Sequence, residues 1–464
     1  MGYAKPGLHP SGRFPRAWWA HRARPGTWPL SRGAIVLTRL RSSALFSGAA
    51  TYLVSNILNA AIPFLLLPLL TRYLGPAGYG EVAMFMVLLG ALESWVGLSV
   101  AGAAGRKYYD GAPDARALRD FIAAGLQLLL ATALLAAGVL WLLRAPLAQA
   151  LELPPRWLPW AVFVSACGVV VNIRLGQWQV RHEARRFGTL QISQGLLGMA
   201  LSLLLVVGLG QGADGRITAQ IVTAGLFALL ALALLRRDAL LAFLVWRPAY
   251  LKEALAFGLP LVPHFAGLFL LNALDRVLVN AKLGLAEAGV YMVAVQLANA
   301  MGLVFDALNK AYGPWLYERL QRDRPEEKRR IVRWTYAWFV VVLLGAALAF
   351  QVGPRLVGLI AGERFAHAGE VIGWLALGQA FNGMYFMVTN YIFYSRRTGA
   401  LALATVGSGL VHVGLVLGLV PVWGIEGAGM AFSISMGLRF GLTWWVAQRR
   451  HPMPWLRAVV AGSS

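Results

Sequence analysis

Apolar residues in this chain gather into long, nearly continuous stretches instead of the short alternating runs of a water-soluble fold. A helix needs about 20 such residues to cross roughly 30 Å of hydrocarbon. The pattern predicts crossings at 45–70, 81–104, 118–143, 158–180, 188–209 and 215–235, then at 256–281, 288–310, 334–353, 370–394, 399–421 and 425–447. Glycine and proline inside them do not argue against crossing, because hydrocarbon leaves the backbone no hydrogen-bond partner outside its own helix. The expected fold is an all-α polytopic membrane protein of about 12 transmembrane helices.

Composition sharpens that picture. Hydrophobic residues are 58% of the chain and charged ones 13%, about half the roughly 25% of a soluble domain. The net charge of +22 would suggest nucleic acid in a soluble protein, but the placement of the charges excludes that partner. With the N-terminus inside, 31 Lys and Arg fall on inner segments and 7 on outer loops. The other four, Arg174, Arg276, Lys310 and Arg439, lie within or at the ends of crossings. This positive-inside bias puts both termini in the cytoplasm. Residues 1–44, rich in Pro, Gly, Arg and Trp and without an apolar run of signal-peptide length, are expected to be a disordered basic cytoplasmic tail, and 449–464 a second tail.

The chain carries an internal repeat. Leu74-Gly75-Pro76-Ala77-Gly78-Tyr79-Gly80 aligns with Leu283-Gly284-Leu285-Ala286-Glu287-Ala288-Gly289, and Gly212, Gly215, Ala219, Gly225 and Leu226 align with Gly424, Gly427, Ala431, Gly437 and Leu438. Both pairs fall at outer turns between paired helices, where glycine permits positive φ or close approach. Two lobes are expected, at 45–235 and 256–448, joined by a cytoplasmic linker at 236–255. Six crossings per lobe give both lobes the same orientation, a parallel repeat.

Several chemistries lack their residues. None of the 6 lysines is followed by Ser or Thr, so there is no Walker A motif. The single cysteine, Cys167, reads as a buried packing residue. No Cys/His cluster suggests a metal, and no cofactor or catalytic residue is expected. A membrane-embedded glycosyltransferase would need an acidic cluster at a membrane face, and no convincing one is seen.

Tyr52-Leu53-Val54-Ser55-Asn56-Ile57-Leu58-Asn59, with Pro63, Pro68, Leu69-Leu70-Thr71-Arg72-Tyr73-Leu74-Gly75 and Tyr79-Gly80, resembles the opening of polysaccharide-biosynthesis (Wzx-type) flippases of the multidrug/oligosaccharidyl-lipid/polysaccharide exporter superfamily. Asp275-Arg276-Val277-Leu278, Gly289-Val290-Tyr291 and Pro421-Val422-Trp423-Gly424-Ile425-Glu426-Gly427-Ala428-Gly429 are similar to the same family. The resemblance implies two pseudo-symmetric six-helix lobes around a central cavity, rocking between inward- and outward-open states. It implies a bacterial inner-membrane flippase, not an enzyme, that moves an undecaprenyl-pyrophosphate-linked oligosaccharide for O-antigen, capsule or exopolysaccharide assembly. Membrane lipid and a polysaccharide polymerase are the partners expected with it. An ion-coupled multidrug or small-molecule exporter of the same superfamily is the alternative.

Polar residues inside crossings are functional candidates, because inserting a charge there costs at least ~2.5 kcal/mol. His264, Asn272, Asp275 and Arg276 fall on one third of a continuous helix at ~100° per residue, able to face a cavity or to brace a neighbouring helix. Asn56 and Asn59 share a face of the first crossing, suited to sugar hydroxyls or to a helix contact. Arg174 offers a planar fork of donors for a pyrophosphate, or snorkels to the inner interface. Glu93 is expected near the bilayer midplane as an ion-coupling carboxylate, or as the partner of a base such as Arg174.

Overall fold

The structure is a computed structural model and describes residues 32–110, 115–242, 245–395 and 399–455. Residues up to Ser47 and the segment Gly48–Ser464 form separate units; the crossings belong to the second. The expected N-terminal tail falls largely outside the described residues, as does 456–464. Its last part does not match expectation: helix α1 already begins at Arg32, where Leu, Ala and Arg, all good helix formers, predominate.

Fourteen α-helices follow one another among the described residues. The first half holds α1 (Arg32–Glu93), α2 (Val100–Lys107), α3 (Ala115–Leu142), α4 (Arg144–Leu151), α5 (Trp157–Val180), α6 (Ala184–Leu203) and α7 (Gly212–Arg237). The second holds α8 (Pro248–Gly258), α9 (Val262–Asn272), α10 (Leu274–Leu283), α11 (Leu285–Arg322), α12 (Pro325–Ala361), α13 (Ala368–Tyr394) and α14 (Gly399–Arg450).

Among the described residues, ten stretches are long and apolar enough to cross a membrane. Two of them, Val54–Glu93 and Leu403–Arg450, have 40 and 48 residues, about twice what one crossing needs. Each turns back on itself. α1 reverses at Gly75, with φ 66° and ψ 175°, and α14 at Trp423–Gly424, where Gly424 has φ 56°. Beyond the second turn a methyl on Gly427 would overlap the carbonyl oxygen of Leu419, an approach no straight helix permits at 1.5 Å rise per residue. Twelve crossings result among the described residues.

Crossings 2 and 7 are not the continuous helices the hydrophobic pattern predicts. Crossing 2 stops at Glu93 and resumes at Val100, with Gly97, Leu98 and Ser99 all at positive φ. Crossing 7 is assembled from α8, a 3-10 turn at Leu259–Leu261, α9 and α10. Pro260 and Pro263 supply the first irregularity, since proline removes a donor and clashes with the preceding turn.

In the first lobe α5 packs against α2, α3 and α7, and α6 against α7; in the second α13 packs against α11, α12 and α14, and α14 against α9. The lobes meet through the repeat itself. A Cβ on Gly80 would overlap the carbonyl oxygen of Leu285, and a Cβ on Gly289 would overlap that of Pro76. Gly80 corresponds to Gly289 and Pro76 to Leu285 in the repeat, so the two contacts are the two copies of one pseudo-twofold contact. Close backbone approach of this kind requires glycine.

Arg174 of crossing 4 is fully buried. Its Nη2 donates to Asp238 Oδ2 at 2.6 Å, and its guanidinium lies over the Trp178 ring at 4.1 Å from the centroid. Asp238 follows α7 directly, so the pair ties crossing 4 to the end of crossing 6. The partner considered from the sequence, Glu93, is not the one found.

Gly80→Ala and Gly289→Ala should each lower stability by about 1–3 kcal/mol, the range for overpacking, read as a drop in melting temperature of the purified protein. Gly358→Ala, with open space around its Cβ position, should not. Removing either partner of the Arg174–Asp238 pair should destabilise by about 3–5 kcal/mol, whereas the double replacement Arg174→Met with Asp238→Ala should recover much of that. A double variant as unstable as the worse single one would show that the pair itself is not the cause.

Candidate functional site

The break in crossing 2 falls between Glu93 and Val100, with the longer helical part before it and the 8 residues of α2 after it. Irregular backbone inside a crossing survives only if its polar groups find partners within the protein. The Gly97 N–H donates to Thr132 Oγ1 of α3 at 2.9 Å, and that hydroxyl donates on to the Leu128 carbonyl at 2.9 Å. A side chain at Gly97 would press on Val169 and Leu129. Glu93 is the last residue of α1 and its side chain is exposed at the protein surface. It therefore stands at the carboxyl end of a half-helix, where unpaired carbonyls already favour a cation.

In the second lobe α9 ends at Asn272 and α10 begins at Leu274, with Ala273 between them at φ −142° and ψ −29°. This break undoes the single helical face that would have grouped four residues. Asn272, Asp275 and Arg276 do line one cavity, of about 60 Å³, with Asn299 and Gln379. His264 does not line it; it is half-buried beside Phe265, with ring centroids 5.7 Å apart. Asp275 is buried. It accepts from the Tyr291 hydroxyl at 2.6 Å and from the Arg276 backbone N–H at 2.9 Å. The Arg276 guanidinium stands 4.0 Å from Asp275 and donates to the Asn272 carbonyl. Its Nε–H has no acceptor among the described residues.

Two further polar residues complete this lobe, and neither was singled out from the sequence as a site residue. His412 of α14 is fully buried, with Nδ1 3.3 Å from Ser435 Oγ and within electrostatic reach of Asp275. Arg439 is buried over the Tyr385 ring at 3.9 Å from the centroid. The sequence signal for both was merely a charged or titratable type inside an apolar stretch.

The first lobe holds a larger cavity, about 340 Å³, between crossings 1, 4, 5 and 6. Asn59, Gln194, Gln220, Thr223 and Arg216 supply its polar lining. Asn56 is half-buried and does not reach it. Pro63 also lines it, and because Pro63 has no N–H, the Asn59 carbonyl lacks its usual helical donor. Arg174 lies outside both cavities.

Gln296 of α11 hydrogen-bonds across the seam between the lobes. It accepts from the Tyr79 hydroxyl at 2.6 Å and donates to the Pro63 carbonyl at 2.7 Å. Elsewhere along the seam crossings 2 and 7 run side by side: Leu98 meets Gly258, Phe257 faces Gly102, and Lys107 pairs with Glu253 at 2.9 Å. Among the described residues no group of three or more His, Cys, Asp or Glu is placed to hold a metal.

Residues 45–318, more than half of the chain, match the family described as polysaccharide biosynthesis protein. Two Haemophilus influenzae proteins are similar along most of their length. One, described as an uncharacterized membrane protein, is 26% identical over 381 residues, 81% of this chain and 91% of its own. The other, Lsg locus putative protein 1, is 25% identical over 399 residues, 83% and 95% respectively. Among solved structures, an inward-facing multidrug resistance MATE family transporter of the MOP superfamily superposes with a TM-score of 0.65 at 17% identity, covering 87% of this chain and 96% of that one. The lipid II flippase MurJ in an inward closed conformation gives 0.66 at 11% identity, covering 88% and 87%. At such identities the likeness is one of fold. The twelve crossings, the two lobes and the family match agree: this multi-pass membrane protein belongs to the polysaccharide biosynthesis protein family.

Proposed function

We propose that the chain is a flippase carrying a polyprenyl-pyrophosphate-linked oligosaccharide from the cytoplasmic to the outer face of a bacterial inner membrane. The observation that carries this reading is the presence of polar cavities in the hydrocarbon-spanning part of both lobes of a polysaccharide biosynthesis family member. Sugars and phosphates need hydrogen-bond donors that lipid cannot offer, while a polyprenyl tail needs none and stays in the bilayer. Rocking of two repeats about their pseudo-twofold contact would expose the polar path to one side and then the other. In this reading Asn59 meets sugar hydroxyls, and Asn272 and Arg276 meet polar groups of the substrate. Arg174, closed over Asp238, holds the first lobe together. Glu93, at the half-helix end, is the coupling carboxylate.

Deleting the gene should abolish a surface polysaccharide and leave lipid-linked repeat units on the cytoplasmic side. Reporter fusions after Arg236 and after Arg450 should both report cytoplasm. Complementation with Arg276→Gln or Glu93→Gln should give normal protein levels but transport reduced about tenfold or more, equivalent to about 1.4 kcal/mol or more of barrier. Normal polysaccharide in the deletion strain, with heightened sensitivity to cationic drugs, would favour the ion-coupled exporter instead.

A further inference from the structure

Arg216 is a cation inside the first lobe with no carboxylate to answer it among the described residues. It lies one turn into α7 and lines the cavity between crossings 1, 4, 5 and 6. Its Nη1 donates to Ser202 Oγ at 3.0 Å, and its Nε–H has no acceptor among the described residues. The nearest acid along the chain, Asp214, is turned to Arg156 at 2.6 Å. Arg174 and Arg276 differ, since Arg174 has Asp238 and Arg276 has Asp275 beside it; Arg439 of the second lobe also lacks a carboxylate among the described residues and lies over the Tyr385 ring instead.

A guanidinium held away from bulk water needs a counter-charge or strong acceptors. What surrounds Arg216 in the cavity is neutral: the carboxamides of Asn59, Gln194 and Gln220, which can donate, and the hydroxyl of Thr223, whose proton goes to the Ala219 carbonyl at 2.7 Å. One fixed cation within a ring of neutral donors is the complement of an oxyanion, not of a cation or an apolar drug. The volume, about 340 Å³, lies in the range of about 300–1,000 Å³ found for small-ligand sites. Glycine keeps it open, because a Cβ on Gly195 would overlap Ile62 and lie 2.9 Å from Asn59 Oδ1.

We propose that this cavity is an oxyanion-binding subsite in the first lobe, with Arg216 as its anchoring cation and Asn59, Gln194 and Gln220 as its orienting donors. The oxyanion comes from the substrate, either as the phosphates of the lipid carrier or as the carboxylate of an acidic sugar. The assignment of its source rests on the flippase reading; the existence of the subsite does not. Tyr79, which clips onto Gln296 of the other lobe, lies within electrostatic reach of Arg216. An anion bound here therefore sits beside the contact that joins the lobes.

The test is direct binding to the full-length protein in nanodiscs, with inorganic pyrophosphate and glucuronate as separate probes against chloride at matched ionic strength. At least one probe should bind, with Arg216→Gln weakening it about tenfold or more, as expected when a charge-assisted hydrogen bond is removed. Arg216→Lys should fall between the two, because an ammonium keeps the charge but not the fork. A response to pyrophosphate alone identifies the carrier phosphates; a response to glucuronate alone identifies an acidic sugar. No binding of either probe, or equal affinity in the wild type and the folded variants, overturns the proposal. Should the glutamine variant fail to fold, unchanged affinity in Arg216→Lys overturns it alone. A deletion strain that still makes its polysaccharide would refute the flippase reading while leaving an Arg216-dependent binding result intact.

Discussion

Hydrocarbon offers a peptide group nothing to hydrogen-bond with, and the rest of this molecule is arranged around that fact. Each crossing must be helical, and every departure from the helix must bring its own partner or its own geometric reason. The departures are few. Gly75 and Trp423–Gly424 are reversals between paired crossings. The break after Glu93 is satisfied by Thr132 of the adjoining crossing, and the break at Ala273 by the neighbouring helical turn and by Asp275, which takes the next free N–H. Two of the interior breaks are also where carboxylates stand, at Glu93 and Asp275. A half-helix end concentrates unpaired backbone dipoles, so a broken crossing supplies local charge that a continuous one cannot.

The same constraint explains how the two lobes meet. With no hydrophobic drive between helices in lipid, association depends on close packing and on hydrogen bonds across the seam. Both are present. Gly80 and Gly289 bring backbone onto backbone, and one glutamine, Gln296, holds a tyrosine hydroxyl and a carbonyl of the other lobe. Crossings 2 and 7 continue the seam, with Leu98 on Gly258, Phe257 facing Gly102 and Lys107 paired with Glu253.

Much of the architecture was legible in the sequence. Twelve apolar stretches and a glycine-marked repeat are features of composition and spacing, and they survive because lipid enforces them. The turns between paired crossings were legible for the same reason, since Gly75, Gly284 and Gly424 all adopt positive φ. What was not legible depends on contacts between distant segments. The helical wheel that grouped His264 with Asn272, Asp275 and Arg276 assumed a continuous helix, and Ala273 interrupts it without a proline to announce the break. Arg174 read as a phosphate partner, a snorkelling residue or the partner of Glu93, because Asp238, 64 residues away, gives no sign in the sequence that it folds back against it. Arg216 falls inside the crossing expected at 215–235 but was not singled out, because nothing in the sequence shows which side of α7 faces a cavity.

The repeat also separates what the duplication supplied from what each lobe acquired. Glycines at the turns occupy matching positions in both halves, but the buried charges do not. At the offset that aligns Gly212 with Gly424, Arg216 corresponds to Ala428. At the offset that aligns Gly80 with Gly289, Asp275 corresponds to Leu66. Each lobe thus presents a different charge pattern on a shared scaffold: one cation among neutral donors in the first, and an acid–base group of Asp275, Arg276 and His412 in the second. Two identical cavities would compete for one chemistry. Under the proposed flippase reading, two different ones let a single rocking motion act on an anionic head group in one lobe and on a titratable cluster in the other, so that the pseudo-symmetry serves the motion and the departures from it serve the cargo.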